Sequence, residues 1–219
     1  MPEPITILGF GAGVMAVGGY LARRFFGVAK EVFDVVVGFV AFILCLPLLG
    51  LCAVLIKVSS RGPVFFRQQR VGRGGVVFEM VKLRTMHADW KGATQPTWTE
   101  ENDPRVIPAC RWMRRTHLDE LPQLLNVIKG EMSLIGPRPE RPEIVAEIEK
   151  ACPGFSKRHL VRPGITGLAQ VRNGYAASVD SAIQKLRADM EYIEQQKWSN
   201  ELRILAGTVP KIFGDSKAR

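Results

Sequence analysis

The sequence predicts a mixed α/β, helix-rich chain that enters a membrane from one side and carries a larger water-facing domain. Three observations predict it. Residues 35–56 form an apolar run of about 22 residues, enough to cross a bilayer core, and Pro47 interrupts it past its midpoint. Basic residues flank this run on both sides, Lys30 before it and Lys57 and Arg61 after it, as expected of a helix that enters, breaks and returns to the cytoplasmic face. A straight span fits the length equally, and the two-sided charge is what favours the re-entrant hairpin. Beyond residue 61 the chain changes to short strand-like and helical pieces, rich in arginine and punctuated by glycine and proline.

Composition narrows the partners. The 219 residues suffice for one good core plus accessory segments. A net charge of +9 points to a polyanion: nucleic acid, an anionic membrane surface, or a phosphate-rich small molecule. The apolar N-terminal runs favour the membrane. Four cysteines without CxxC spacing predict neither a disulfide framework nor a zinc site, which fits a reducing compartment.

Taken in order, residues 5–20 are apolar and glycine-rich, a marginal span followed by Arg23 and Arg24. No basic residue precedes them, so the charged start of a secretory signal is missing. Gly9 and Gly13 form a GxxxG, read equally as a helix-packing face for a homo-oligomer and as glycine-rich filler. Gly11, Gly13 and Ala16 imitate a dinucleotide-binding turn, but a second apolar run follows where an amphipathic helix and another sheet strand are required. Residues 1–29 are therefore assigned to an N-terminal extension, 30–60 to the re-entrant helix, 61–213 to the water-facing domain and 214–219 to a loose tail. Pro47 removes a helical hydrogen bond and places the expected break near residues 44–46. Asp34 is too costly at membrane depth and is read as an interfacial structural residue near Lys30 or Arg61.

From Gly62 the pattern predicts a hairpin, with Gly72, Gly74 and Gly75 at its turn. Alternation in Val81-Lys82-Leu83-Arg84-Thr85-Met86 places Lys82 and Arg84 on one face, which suits phosphate binding and a solvated strand face equally. Residues 87–103 read as a polar loop. Arg105, Arg111, Arg114 and Arg115 then lead into an adjacent acidic pair, Asp119 and Glu120.

Leu121, Leu124, Leu125 and Ile128 recur at helical spacing, ended by Gly130, and Pro122 fixes the helix start close to Asp119. Asp119 in that position is read either as an N-cap, with Thr116 imitating a capping box, or as a reacting group. The second reading draws on the surrounding cations. A helix N-terminus attracts phosphates, and Arg138, fixed between Pro137 and Pro139, suits a diphosphate through planar forked contacts. Adjacent carboxylates can divide labour, one attacking phosphorus while the other holds a magnesium ion.

The runs Lys82-Leu83-Arg84-Thr85-Met86, Glu101-Asn102-Asp103-Pro104-Arg105, Arg114-Arg115-Thr116-His117-Leu118-Asp119-Glu120-Leu121-Pro122, Gly136-Pro137-Arg138-Pro139 and Arg162-Pro163-Gly164-Ile165-Thr166-Gly167 resemble the bacterial sugar transferase family, the monotopic phosphoglycosyl transferases. The resemblance implies an enzyme with a cytoplasmic catalytic domain and amphipathic interfacial helices. It implies transfer of a sugar 1-phosphate from a UDP-sugar to polyprenol (undecaprenyl) phosphate at the cytoplasmic face of the inner membrane. By the same resemblance Asp119 is the nucleophile, Glu120 the magnesium ligand, and Lys82, Arg114 and Arg138 line the phosphate site, with Pro47 at the helix break. Two positions depart from the family pattern: Leu46 stands where serine commonly precedes the proline, and His117 replaces a small hydroxyl residue.

In the C-terminal third, residues 144–150 read as a short amphipathic helix and residues 161–171 as a rigid loop. Arg162 and Gln170 border the active site by resemblance, while a structural turn is the alternative. Residues 182–198 read as a helix, with Asp189 and Tyr192 matching a family pattern, and residues 202–213 as a headgroup-level segment. A rival class is a non-catalytic basic protein on an anionic lipid surface or on nucleic acid. Scattered aromatics and the acidic pair give no stacking platform for bases, so no nucleic acid partner is expected.

Overall fold

The computed structural model describes residues 5–87, 103–173 and 179–214. Most of the expected polar loop and nearly all of the tail lie outside them. Helix α1, Ile5–Ser59, is apolar and runs without a gap in its helical pattern across position 30 and past Pro47. Among the described residues one helical stretch, Arg24–Ser59, is long and apolar enough to cross a membrane, and its most apolar 18-residue window has a mean hydropathy of 2.9. Much of it has no protein partner: Leu44 is 75% exposed and Leu51 70%, which leaves an apolar surface suited to lipid.

Other faces of α1 are built into the protein. Leu49, Cys52 and Ile56 form a core cluster with Leu83, Ile107, Cys110 and Met113. Nearer the N-terminus, Gly38 faces the Val127 side chain, where an added Cβ would approach a methyl carbon to 3.1 Å. Lys30 pairs with Asp34 at 3.3 Å and with Glu201 at 2.8 Å. The Ser133 hydroxyl donates to Asp34 at 2.6 Å. Asp34 thus has the structural role expected of it, with Lys30 rather than Arg61 as its cation. Phe26 and Phe33 meet Trp198 edge to face at 5.3 and 5.2 Å.

The domain is organised around two small sheets. Strands β1, Phe65–Val71, and β2, Val77–Leu83, form the expected antiparallel hairpin, in register from Phe65 opposite Leu83 to Val71 opposite Val77. Gly74 and Gly75 take positive φ at its tip, which is what a tight reversal requires. After α2, Arg111–Arg115, a 3-10 turn leads into α3, Leu124–Ile128, and then into β3, Ser133–Ile135. Helix α4, Pro142–Ala151, precedes β4, Gly164–Thr166, which pairs in parallel with β3. The loop expected over residues 161–171 therefore holds a short strand and the start of α5, Leu168–Asn173. Helices α6, Val179–Glu194, and α7, Trp198–Gly214, close the domain.

Candidate active site

Asp119 and Glu120 occupy a 3-10 turn, Leu118–Gln123, rather than the first turn of an α-helix. His117 enters it in the left-handed conformation, φ 55°, and the regular helix begins only after Pro122. No side chain caps this turn, and the Thr116 hydroxyl donates back to the Trp112 carbonyl at 2.8 Å, so the expected capping box does not form. Leu118 and Leu121 pack on the cluster that includes Ile56, which leaves Asp119 and Glu120 buried within the protein.

Glu120 is held by two cations. Lys82 Nζ donates to Oε1 at 2.7 Å, and Arg138 donates through Nη2 to Oε1 at 2.6 Å and through Nη1 to Oε2 at 3.2 Å. Burial alone would raise the Glu120 pKa, but Arg138 and Lys82 hold it well below the ordinary carboxylate range. Burial lowers the Lys82 pKa, and Glu120 opposes that shift. Asp119 behaves in the opposite way to Glu120. It is buried and carries no hydrogen bond or ion pair among the described residues. Burial, followed by the Glu120 charge, pushes its pKa up to about 6 against the pull of Lys82, Arg114 and Arg138. The turn thus holds one carboxylate whose pKa is pulled well down beside another whose pKa is pushed up to about 6.

Backbone packing fixes both cations. The buried Asn126 accepts from Val81 N at 3.2 Å and donates to Glu79 O at 2.8 Å, which pins α3 to β2 next to Lys82. Arg138 follows Gly136, whose backbone lies against residues 162–164: Gly136 N donates to Thr166 O at 2.9 Å and Gly164 N to Pro137 O at 3.0 Å. A Cβ at Gly136 or Gly164 would collide with the opposing backbone, so only glycine allows this approach. The glycine-rich loop borders the site as a backbone support for the Arg138 turn.

Of the residues expected to bind phosphate, Lys82 and Arg138 meet at Glu120. Arg114 lies within the field of Asp119, its Nη1 bonded to Thr85 Oγ1 at 3.2 Å. The other three are directed elsewhere. Arg84 does not share the Lys82 face, because β2 ends at Leu83; its guanidinium binds the carbonyls of Ser60, at 3.0 Å, and Arg61 at the end of α1. Arg162 pairs with Glu31 at 3.3 Å on the wall of a separate cavity of about 310 Å³ that neither Asp119 nor Glu120 lines. Gln170 donates to Ile165 O at 3.1 Å and supports its own loop.

Neighbouring charges continue the site in a direction that sequence reading did not anticipate. Arg70 donates to Pro139 O at 2.9 Å and pairs with Glu140 at 3.5 Å; burial lowers its pKa to about 10. Arg158 pairs with Asp189 of α6 at 2.7 Å, both buried. Asp189 therefore supports the core through Arg158, and Tyr192 lies 2.9 Å from both Ile135 O and Glu201 Oε1. Glu140, directly after the Pro-Arg-Pro turn, was the available signal for this extension.

Comparison with known proteins agrees with the geometry. Residues 25–215 match the family model described as bacterial sugar transferase. The chain is 40% identical over 203 residues to a UDP-glucose:undecaprenyl-phosphate glucose-1-phosphate transferase of Caulobacter vibrioides, covering 92% of this chain and 76% of that protein. It is 38% identical to a UDP-N-acetylgalactosamine-undecaprenyl-phosphate N-acetylgalactosaminephosphotransferase of Aeromonas hydrophila, covering 92% of this chain and 48% of that one. Identity to the exopolysaccharide production protein PSS of Rhizobium leguminosarum bv. phaseoli is 37%, over 83% of this chain and 94% of that protein. With the matched region spanning nearly the whole chain, from within α1 to just past α7, this protein belongs to the bacterial sugar transferase family.

Proposed function

We propose that the protein transfers a sugar 1-phosphate from a UDP-sugar to undecaprenyl phosphate, releasing UMP, at the cytoplasmic face of the inner membrane. The observation that carries this reading is the buried carboxylate of Asp119, without a partner among the described residues, beside the caged Glu120. An Asp119 oxygen attacks the phosphorus that bears the sugar, and the bond to the nucleotide phosphate breaks, so UMP leaves. A phosphate oxygen of the lipid then attacks the same phosphorus, and the bond to Asp119 breaks, which restores the carboxylate. Lys82, Arg114 and Arg138 supply the positive field that lets one anion approach another.

Glu120 and Asp119 fit a magnesium ion. Among the described residues no third carboxylate, histidine or cysteine joins them in a metal-binding group. That suits an ion which takes one or two carboxylates and completes its shell with water and substrate phosphates. Glu120, ionised at every working pH, would hold it, and the ion would neutralise developing charge on the phosphate oxygens.

Membrane attachment by a re-entrant α1 rests on packing. Residues on both sides of Pro47, from Lys30 and Asp34 to Cys52 and Ile56, pack on the same domain, which suits a helix with both ends at one face. In this reading residues 30–60 insert and residues 61–213 carry the chemistry.

The test is incubation with a panel of UDP-sugars and no lipid acceptor. The proposal expects one equivalent of UMP and a phosphosugar adduct on Asp119 seen by mass spectrometry. A pKa of about 6 also suits Asp119 as a general base for direct transfer. UMP release that begins only when acceptor is added would select that second reading.

A further inference from the structure

Among the described residues around Asp119 most buried charges have a partner. Glu120 takes Lys82 and Arg138, Glu140 takes Arg70, and Asp189 takes Arg158. Asp119 and Lys185 are left over. Lys185 lies on α6 one turn before Asp189, is 9% exposed, and its ammonium has no hydrogen-bond or ion-pair partner among the described residues. Its charged neighbours are Glu140, Arg138, Asp189 and Arg158. Arg138 is therefore a charged neighbour of Lys185 as well as the partner of Glu120. A buried ammonium without acceptors is costly.

We propose that Lys185 is a phosphate-binding residue of the active site, its ammonium receiving non-bridging oxygens of the substrate phosphate that lies against Arg138. This deepens the transferase reading and rests on it. The attacking carboxylate needs a phosphorus atom brought to it, and the charge that comes with that phosphate is what the spare cation is placed to accept. Two phosphates visit such a site, the diphosphate of the nucleotide sugar and the monophosphate of the lipid acceptor. Their shared chemistry is an oxyanion with free equatorial oxygens, which an ammonium binds as a point charge.

The variants are Lys185→Met, which keeps the length of the side chain and removes its charge, and Lys185→Arg, which keeps the charge. Inorganic pyrophosphate, added to the detergent-solubilised full chain, should raise the thermal midpoint of the wild type and raise that of Lys185→Met much less. In steady state Lys185→Met should lose about 10- to 100-fold in kcat/KM for the substrate whose phosphate it holds, with Lys185→Arg partly restoring it. If the donor is held, UMP release without acceptor slows. If the acceptor is held, that release stays intact and only the KM for polyprenyl phosphate rises. A structural role is separated by the ligand-free midpoint, which should stay level or rise in Lys185→Met because an uncompensated charge has gone. An unchanged pyrophosphate shift, or a ligand-free midpoint that falls in step with activity, overturns the proposal. Absence of UMP release by the wild type with every UDP-sugar would instead sink the transferase reading, and the pyrophosphate comparison would still decide Lys185.

Discussion

Arg138 grips Glu120 with both terminal guanidinium nitrogens, Nη2 at 2.6 Å and Nη1 at 3.2 Å. A planar fork can do this and an ammonium cannot, so Arg138→Lys should retain charge and lose geometry. The expected cost is about 10- to 100-fold in kcat/KM with a smaller loss of stability. Arg138→Met should in addition destabilise the fold by about 3 kcal/mol, because it leaves Glu120 with Lys82 alone. UMP-release kinetics and thermal unfolding measure the two effects separately.

Replacing Asp119 should separate activity from stability. Asp119→Asn removes the carboxylate charge that the proposed attack on phosphorus requires and should lower turnover at least about a thousandfold. It also removes a buried carboxylate whose pKa is carried from 3.8 to about 6, a shift that costs the fold about 3 kcal/mol at neutral pH. The amide retains part of that burial cost, so a gain of about 1–2 kcal/mol is expected in unfolding at pH 7.5. An inactive variant that is also less stable than the wild type would contradict this account of the site.

Acidity offers an independent check. The raised Asp119 pKa means that the folded state holds a proton which the unfolded state has released. Its contribution to stability is therefore present below pH about 4 and is lost as pH rises through about 6. Glu120 has the opposite sign: its contribution is present above 4.5 and is lost only as pH falls through its depressed folded value. The stability gap between Asp119→Asn and wild type should thus be small near pH 4 and full above pH about 7. The kcat/KM of the wild type should fall on the acid side with an apparent pKa near 6 that belongs to the coupled pair.

Chelation tests the metal assignment. EDTA should abolish turnover and magnesium should restore it, with thermal stability nearly unchanged, because Lys82 and Arg138 already satisfy Glu120. Turnover that survives EDTA would remove the metal from the proposal.

Topology is tested by reporter cysteines at positions 24 and 61 in a background without the four native thiols. The re-entrant reading expects a membrane-impermeant maleimide to label both in inside-out vesicles and neither in right-side-out ones. A straight span would divide the two labels between the faces.

Much of this site was visible in the chain itself. Asp119 and Glu120 stood out as an acidic pair in a basic chain, Arg138 as a cation between two prolines and Lys82 by resemblance to the family, and the hairpin announced itself through Gly72-Arg73-Gly74-Gly75. What escaped depends on partners distant in sequence. Arg84 looked equivalent to Lys82 by alternation until the strand ended at Leu83 and Arg84 joined the carbonyls that close α1. Residues 161–171 contain too few apolar positions to announce a strand, and β4 forms because Ser133 and Ile135 offer it a parallel edge. The 3-10 turn under Asp119 reads as the start of a helix because its leucines have helical spacing, while its conformation follows from burial against α1.

The placement of Leu49, Cys52 and Ile56 within the first core cluster bears on how this enzyme comes to exist at all. A membrane segment that merely moored a finished domain could be cut away to leave a soluble catalyst. Here the cut would strip one wall from the core under Leu118 and Leu121, open the floor beneath Asp119 and release the Arg84 side chain from the carbonyls it binds. The apolar helix and the floor of the turn that bears Asp119 are thus one piece of packing, and α1 is part of the domain's own core as well as its apolar face.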